Sequence, residues 1–195
     1  MKYKSRAYHS ALKPEIQVNG SLQFHEAKQG ITFTHDLMRG FNEYFTRGDC
    51  IYCEPSWRAG FDKYMKRANI KTLAKYSDYL LAMKDIINKL KIPTYMIIGK
   101  HMIETLDPEV LVPIKQHNYD AYLAIWYAEE PEETLKNHYD ACAWVAKKYN
   151  CIVNFCCGYG GTVEEAIKHK KKFVCSDINP KCIYYVATNY LEYKK

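Results

Sequence analysis

Hydrophobic and polar positions alternate along the chain in a pattern that predicts short buried strands separated by amphipathic helices. In one long segment, Leu73, Leu80 and Met83 begin a series at helical spacing that predicts a helix over 71–90. Short apolar runs predict strands at 31–35, 49–54, 95–98, 111–114, 122–127, 151–156 and 173–176. Further helices are expected at 36–45, 135–145, 163–169 and from Pro180 onward, with Asn179 near the cap.

Strands that alternate with helices in this way indicate an α/β fold with a mostly parallel sheet between two layers of helices. The chain has 195 residues and no internal repeat or low-complexity tract, a length that suits one compact domain with a sizeable core. We therefore expect a single domain over 1–195, with 1–30 as an N-terminal extension.

Composition changes this picture little, since 48% hydrophobic and 26% charged residues are ordinary for a globular protein. No apolar run approaches the ~20 residues that a membrane helix needs. Residues 1–14 lack the apolar core of a signal peptide. These features predict a cytoplasmic protein without a membrane segment. The formal net charge of +6 permits a nucleic-acid partner without establishing one.

Eight cysteines occur in the chain, most of them inside apolar segments. Secreted disulfide frameworks place their cysteines in the polar loops of shorter chains, so free, buried thiols are the better interpretation. Cys50 and Cys53 have the spacing of a metal or redox pair, but no second Cys/His pair follows at zinc-finger spacing. No metal site is expected.

The segment 152–180 carries the strongest chemical signal. An apolar strand ends in Asn-Phe-Cys-Cys-Gly-Tyr-Gly-Gly-Thr at 154–162, a helix follows, and a second strand ends in Asp177. Glycines after a strand allow a tight turn and a close approach of the backbone to a ligand. Asp177 follows Gly158 by about twenty residues, the spacing at which an acidic residue reaches the hydroxyls of a ribose. The alternative is a plain strand–turn–helix in which Asp177 caps the last helix.

This segment resembles the cofactor motif of the amino-group DNA methyltransferases. That motif usually reads Asp-Pro-Phe-Cys-Gly-Ser-Gly-Thr-Thr and is followed later by Ile-Asp-x-Asn-Pro. The matching positions here are Cys157, Gly158, Gly160 and Thr162, and then Asp177, Ile178, Asn179 and Pro180. The departures are Asn154 for Asp, Phe155-Cys156 for Pro-Phe, and Tyr159 for Ser.

The resemblance implies that the chain binds S-adenosylmethionine. Asp177 would bind the ribose, Ile178 would pack on the adenine, and the loop 154–160 would wrap the methionine end. Asp36, which follows the predicted strand at 31–35, would approach the adenine. The cofactor-binding residues that the resemblance implies are Asp36, Asn154, Phe155, Cys156, Cys157, Gly158, Gly160, Thr162, Asp177 and Ile178.

A second segment resembles the four-residue catalytic motif of the same family, which is usually Asp, Asn or Ser, then Pro-Pro, then an aromatic residue. Here it reads Glu54-Pro55-Ser56-Trp57. In the family, a polar side chain and a backbone carbonyl accept the hydrogens of an exocyclic amine and favour its attack on the methyl sulfonium. The aromatic residue stacks on the extruded base. Glu54 is one methylene longer than Asp and Ser56 removes the second proline, so the alternative is a catalytically degenerate binding module or partner subunit.

The catalytic candidate precedes the cofactor segment, an order similar to that of the circularly permuted group of these enzymes. The resemblance implies a Rossmann-like methyltransferase fold with a mostly parallel sheet, one antiparallel strand near 122–127 and a circularly permuted motif order. Permuted DNA enzymes usually insert a target-recognition domain before the cofactor half, whereas this chain has a short acidic turn at 128–133. Such a minimal enzyme suits a phage or mobile element.

Basic residues follow the catalytic candidate in what we interpret as a loop, with Phe61 and Tyr64 interleaved. The candidates for phosphate binding are Arg58, Lys63, Lys66 and Arg67. The alternative is a solvated helix face. Adenine in DNA is the favoured acceptor. The amine of DNA cytosine, RNA adenine and an acceptor on a protein or small molecule stay open, as do a homodimer and a partner subunit.

Overall fold

The structure, a computed structural model, describes residues 23–67 and 75–191. Its strands are β1 (Phe24–Ala27), β2 (Gly30–Thr34), β3 (Cys50–Cys53), β4 (Thr94–Ile98), β5 (Val110–Gln116), β6 (Tyr119–Trp126), β7 (Cys151–Asn154) and β8 (Lys172–Asp177). They form one sheet in the order β1-β2-β8-β7-β3-β4-β6-β5. Each strand predicted from an apolar run is present, with ends that shift by a few residues.

The helices of the described chain are α1 (Arg58–Arg67), α2 (Tyr76–Leu90), α3 (Ile103–Leu106), α4 (His138–Lys148), α5 (Gly161–Lys168) and α6 (Pro180–Val186). Short 3-10 helices span Leu37–Arg39, Glu43–Arg47 and Lys100–Met102, and a π-helical turn spans Ala187–Leu191. None of the described helices is long and apolar enough to cross a membrane.

Strand directions follow the prediction in the centre of the sheet and add to it at one edge. Strands β2, β8, β7, β3 and β4 pair in parallel, and β6 lies antiparallel between β4 and β5. One antiparallel strand is expected from the sequence, and β1 is a second, paired with β2 at the edge. Its four residues, Phe-His-Glu-Ala, alternate between exposed and half-buried positions and make no apolar run.

Two hydrophobic layers cover the sheet, which confirms the three-layer arrangement. One layer joins the face of Cys50 and Tyr52 to the buried sides of α4, α5 and α6. The other joins the face of Ile51 and Cys53 to α2. All four residues of β3 are 0% exposed, as expected for a parallel strand that is covered on both faces.

Two predictions of local structure, one helix and one loop, need correction. The helix expected at 36–45 is wrong, because Gly40 has a φ of 87° and separates two short 3-10 helices. The segment after Trp57, interpreted as a basic loop, is the helix α1. The helix expected at 71–90 is present from Tyr76 as α2, and its first predicted residues, 71–74, lie outside the described residues.

The connections that follow the two central strands β7 and β3 run toward opposite edges of the sheet. From β7 the chain passes through α5 to β8 on one side, while from β3 it passes through α1 and α2 to β4 on the other. Because β7 and β3 are neighbours, their carboxyl ends border a switch point where ligands bind in open α/β sheets. Asp36, Glu54, Asn154 and Asp177 lie at the carboxyl ends of β2, β3, β7 and β8.

Candidate active site

A cavity of about 160 Å³ opens at the carboxyl ends of these four strands. Its walls combine residues of both predicted motifs with residues that the sequence analysis did not assign to a site. The predicted residues that line it are Asp36, Glu54, Ser56, Phe155, Cys156, Gly158, Asp177 and Ile178. The unassigned ones are His35, Leu37, Met38, Phe61, Tyr64, Met65 and Tyr79.

Some predicted cofactor residues shape the loop after β7 instead of lining the cavity. Asn154 is 3% exposed, accepts a hydrogen bond from the Cys156 backbone at 3.0 Å and donates to the Thr162 hydroxyl at 2.8 Å. The Cys157 backbone donates to the Ser176 carbonyl at 3.0 Å, so the loop is fixed against β8. Asn154, Cys157 and Thr162 therefore hold Cys156 and its neighbours at the cavity wall.

Two positions of this loop favour glycine. Gly158 and Gly160 have φ values of 51° and 85°, in the left-handed region that glycine adopts without strain. A β-carbon at Gly160 would also lie 2.9 Å from the ring of Tyr190 and 3.0 Å from Val186. Gly160 thus lets α5 begin close against α6 and the π-helical turn that follows it. This contact explains why the motif has glycine here without a direct ligand contact.

The carboxylate of Asp177 connects the two cofactor segments. It accepts hydrogen bonds from the backbone of Gly158 at 2.8 Å and of Asn179 at 2.9 Å. Burial raises the pKa of this carboxyl group, and the donors lower it in part. No cation pairs with it in the described part of the chain. The cap of α6 is Asn179, whose side chain accepts from the Lys181 backbone, so helix capping does not account for Asp177.

Helix α1 reaches across the cavity to the same carboxylate. The hydroxyl of Tyr64 donates to Asp177 Oδ1 at 2.5 Å and lies 3.4 Å from Cys182 Sγ. Phe61, one turn earlier, is buried under Tyr79. Phe61 and Tyr64 are interleaved with basic residues, a pattern that predicts a nucleic-acid contact. Their spacing cannot show which face of α1 turns inward.

The end of β2 completes the cofactor side of the cavity. The His35 backbone donates to the Asp177 carbonyl at 2.9 Å, which fixes β2 beside β8 beyond the end of their pairing. Asp36 is half-buried, and its side chain accepts from the Met38 backbone at 3.0 Å. Leu37 and Met38 then present apolar surface to the cavity.

Glu54 lies on the opposite side of the cavity and is half-buried. Its carboxylate accepts hydrogen bonds from the Tyr52 hydroxyl at 3.0 Å and from the Gln116 amide at 3.3 Å. Burial raises the pKa of Glu54, while Tyr52, Gln116 and the nearby His117 lower it in part. A carboxylate in this position can accept further hydrogen bonds from a ligand, because each oxygen has two lone pairs.

The rest of the predicted catalytic motif is held by packing and by one hydrogen bond. Pro55 is buried, and the carbonyl of Ser56 accepts from the Tyr76 hydroxyl at 3.1 Å. Trp57 is half-buried between the rings of His101 and Tyr119, with centroid distances of 6.2 and 6.3 Å. Trp57 thus lies beside the cavity and not in its wall.

The basic residues of α1 divide by accessibility. Arg58, Lys63 and Lys66 are exposed, and the side chain of Arg67 lies outside the described ones. The helix therefore presents cations to solvent on one face while Phe61 and Tyr64 face the cavity. Cys50 and Cys53 are buried in β3, and the described residues contain no group of three or more His, Cys, Asp or Glu side chains arranged to hold a metal.

No protein-family model matches the chain, and neither does any curated protein. Solved structures do match it. The M1.HpyAVI–SAM complex aligns with a TM-score of 0.54 at 8% identity, over 82% of this chain and 98% of that one. The cytosine-N4-specific PvuII DNA methyltransferase aligns with a TM-score of 0.53 at 9% identity, over 87% and 89%. TTHA0409 of Thermus thermophilus, a proposed DNA modification methylase, gives 0.51 at 8% identity, over 85% and 94%.

These similarities show that the chain has the Rossmann-like methyltransferase fold of its structural neighbours, as the sequence predicts. They extend over nearly the whole of each neighbouring chain. At 8 to 9% identity they establish the fold and not the chemistry, which depends on the side chains of the cavity.

Proposed function

We propose that this protein is an S-adenosylmethionine-dependent methyltransferase that acts on the exocyclic amine of a nucleobase, with adenine in DNA as the favoured acceptor. The proposal depends on one observation: Glu54 and Asp177, far apart in the chain, line the same cavity at the switch point of the sheet. Each belongs to a segment that resembles a motif of the same enzyme family. A chance likeness of either segment gives no reason for the two to meet.

The cofactor end of the cavity fits the chemistry of S-adenosylmethionine. The buried carboxylate of Asp177 offers acceptors to the ribose hydroxyls, and Ile178 and Leu37 offer apolar surface to the adenine. The neighbouring M1.HpyAVI structure is itself a SAM complex, which supports this choice of cofactor. The cofactor supplies an electrophilic methyl group on a sulfonium.

The other end of the cavity would hold the acceptor amine. Glu54 accepts a hydrogen bond from the amine, which localises the nitrogen lone pair for attack, and takes the proton that the nitrogen loses. The sulfonium of S-adenosylmethionine would supply the methyl group to this nitrogen. Pro55 and Ser56 set the backbone beside Glu54, and the half-buried Trp57 follows them. DNA methyltransferases among the structural neighbours support DNA as the acceptor.

The direct test supplies methyl-deuterated S-adenosylmethionine and mixed-sequence DNA, single- and double-stranded, and measures the nucleosides by mass spectrometry. Labelled N6-methyl-2′-deoxyadenosine supports the favoured acceptor, and labelled N4-methyl-2′-deoxycytidine shows that the acceptor is the amine of cytosine instead. RNA in a parallel reaction tests the third acceptor. Cofactor binding without label in any nucleic acid contradicts the enzyme and favours a binding module or partner subunit.

Tyr64→Phe is expected to tighten S-adenosylmethionine binding by roughly 10-fold or more. The Tyr64 hydroxyl occupies an acceptor of Asp177 that a ribose hydroxyl would use, and breaking a hydrogen bond to a charged group costs about 1.5–3 kcal/mol, where every 1.4 kcal/mol is about tenfold in affinity. Removing the competitor removes this cost from binding. Isothermal titration calorimetry of both proteins measures the difference.

Tyr79→Phe is the matched control, since Tyr79 is another phenol in the wall of the same cavity. It should leave the affinity near the wild-type value. Weaker binding by Tyr64→Phe would show instead that the Tyr64 hydroxyl contacts the cofactor directly, and equal binding would show that the two do not compete.

Neutralising the exposed cations of α1 is expected to weaken nucleic-acid binding and its salt dependence together. In the triple variant Arg58→Gln, Lys63→Gln, Lys66→Gln, the slope of log K against log salt should fall by about 0.9 for each lost phosphate contact on duplex DNA. Fluorescence anisotropy with labelled DNA at several salt concentrations measures both quantities.

The control removes the same charge elsewhere, with glutamine at Lys170, Lys171 and Lys172. Lys170 and Lys171 precede β8 and Lys172 is its first residue, so the cluster lies at the amino end of a strand whose carboxyl end borders the cavity. If both triple variants lose affinity equally, α1 has no special part in nucleic-acid binding and only net charge matters.

A further inference from the structure

Two side chains outside both motifs hold the carboxylate of Glu54. Tyr52, two residues earlier on β3, donates to Oε1 at 3.0 Å. Gln116, at the end of β5, donates to Oε2 at 3.3 Å. Each carboxylate oxygen therefore has one protein donor and keeps a second lone pair for a ligand. The donors come from different strands, so together they fix both the position and the tilt of the carboxylate.

We propose that Tyr52 and Gln116 are positioning residues for Glu54, an inference that rests on the proposed function. Glutamate has one more rotatable bond than the aspartate of the family motif, and a misplacement near 1 Å costs about 100-fold in rate. The two hydrogen bonds remove this freedom, because they select one conformation of the longer side chain. They explain how a glutamate serves at a position where the family usually has aspartate, asparagine or serine.

The Tyr52 hydroxyl has a second acceptor, the carbonyl of His138, at 2.9 Å. A phenol has a single hydrogen to donate, and an ionised carboxylate is a stronger acceptor than a carbonyl. The Tyr52 hydroxyl therefore donates its hydrogen bond to Glu54 when the carboxylate is ionised. It donates to the backbone carbonyl of His138 when Glu54 is protonated. Tyr52 thus stabilises the ionised form, which is the form that accepts hydrogens from an amine.

The other titratable groups that face Glu54 contribute little charge near pH 7. They are His117 on the β5–β6 turn, Tyr139 and Cys142 on α4, and Cys156 after β7. Burial lowers the pKa of His117 and raises that of Cys142, so both groups favour their neutral forms. Burial raises the pKa of Glu54, and the groups that chiefly oppose this effect are its two neutral donors. Removing each donor tests its contribution.

Tyr52→Phe and Gln116→Leu are each expected to lower kcat by about 10-fold, since each removes one hydrogen bond to a charged group. The KM for S-adenosylmethionine should not change, because neither side chain lies among the residues that line the cavity. The acidic limb of the pH–rate profile should move to higher pH, as the loss of a donor raises the pKa of Glu54. Gln116→Asn, with a shorter amide, tests whether reach matters.

Tyr95→Phe is the matched control. Tyr95 pairs in register with Tyr52 on the neighbouring strand, and its hydroxyl bonds that of Tyr149 at 2.9 Å, away from Glu54. It removes a phenol hydrogen bond in the same hydrophobic layer and should leave kcat and the pH limb unchanged. Equal losses in Tyr95→Phe and Tyr52→Phe would reduce Tyr52 to a packing role.

A second readout does not require turnover. The pKa of Glu54 is followed by carbon-13 NMR of its carboxyl group, assigned with Glu54→Gln, in the wild type and in both variants. A higher pKa in Tyr52→Phe and Gln116→Leu supports the two hydrogen bonds, and an unchanged pKa in both overturns the positioning role. A wild type that transfers no methyl group contradicts the proposed function separately, whatever the NMR titration gives.

Discussion

Asp177→Ala is expected to weaken S-adenosylmethionine binding by at least ~100-fold in isothermal titration calorimetry. The variant removes both carboxylate oxygens from the cofactor end of the cavity. A hydrogen bond to a charged group contributes roughly 1.5–3 kcal/mol, and every 1.4 kcal/mol is about tenfold in affinity. Two lost ribose contacts therefore account for at least about two orders of magnitude.

Asp177 also has a structural part, which the experiment must separate from ligand binding. The alanine variant leaves the backbone donors of Gly158 and Asn179 without their acceptor, and a buried unsatisfied donor costs about 1–3 kcal/mol. Asp177→Asn keeps one acceptor oxygen and nearly the same shape, so it should remain folded and still lose most of its affinity.

Asn179→Ala controls for stability alone. It removes the cap of α6, at a cost of about 1 kcal/mol in the free energy of unfolding, and leaves Asp177 in place. Thermal unfolding should show a lower Tm for this variant, and calorimetry should show near wild-type affinity. Wild-type affinity in a folded Asp177→Asn protein would contradict the assignment of this residue to the ribose.

The sequence predicts the central part of the fold because local pattern and burial agree there. The strands at Cys50–Cys53 and Cys151–Asn154 are short apolar runs, and both prove to be covered on both faces. The loops that follow these strands meet at one cavity, which Glu54, Gly158 and Asp177 line together.

The parts that the sequence does not predict depend on contacts between distant segments. Nothing in the local pattern shows that Tyr64 on α1 meets Asp177, or that Gln116 meets Glu54. The two residues of each pair lie far apart in the chain, and only the folded structure brings them together. The positions of Asn154 and Thr162 in the motif predict contact with the cofactor. In the structure their side chains are hydrogen-bonded to each other inside the loop, a contact that a motif match cannot reveal.

The raised pKa of Glu54 gives the proposed reaction a characteristic pH dependence. Burial favours the neutral acid, whereas the proposed chemistry needs the ionised carboxylate as an acceptor. The rate should therefore fall as the pH falls through the pKa of Glu54, and this loss should begin at a higher pH than for an ordinary glutamate. Measuring kcat at saturating S-adenosylmethionine from pH 5 to 9 follows this acidic limb. The rates at the upper end of the range give the plateau with which the loss is compared.

Glu54→Gln is expected to lower kcat for methyl transfer by about 10²–10³-fold, the usual cost of losing one preorganised electrostatic group, while S-adenosylmethionine binding stays within about twofold. The amide keeps one acceptor oxygen but loses the charge, and its NH2 group faces one of the two donors, Tyr52 or Gln116. The acidic limb should disappear from whatever rate is left, because glutamine does not titrate.

Glu54→Asp separates the charge from its position. Aspartate keeps the carboxylate and matches the usual family residue, but it is too short to keep the hydrogen bonds that Tyr52 and Gln116 make with Glu54. If the surrounding residues are adapted to the longer side chain, kcat falls by about 100-fold despite the conserved charge, the expected cost of a displacement near 1 Å. An aspartate variant as fast as the wild type would show that this site tolerates either length, and wild-type turnover by Glu54→Gln would show that the acceptor carboxylate lies elsewhere.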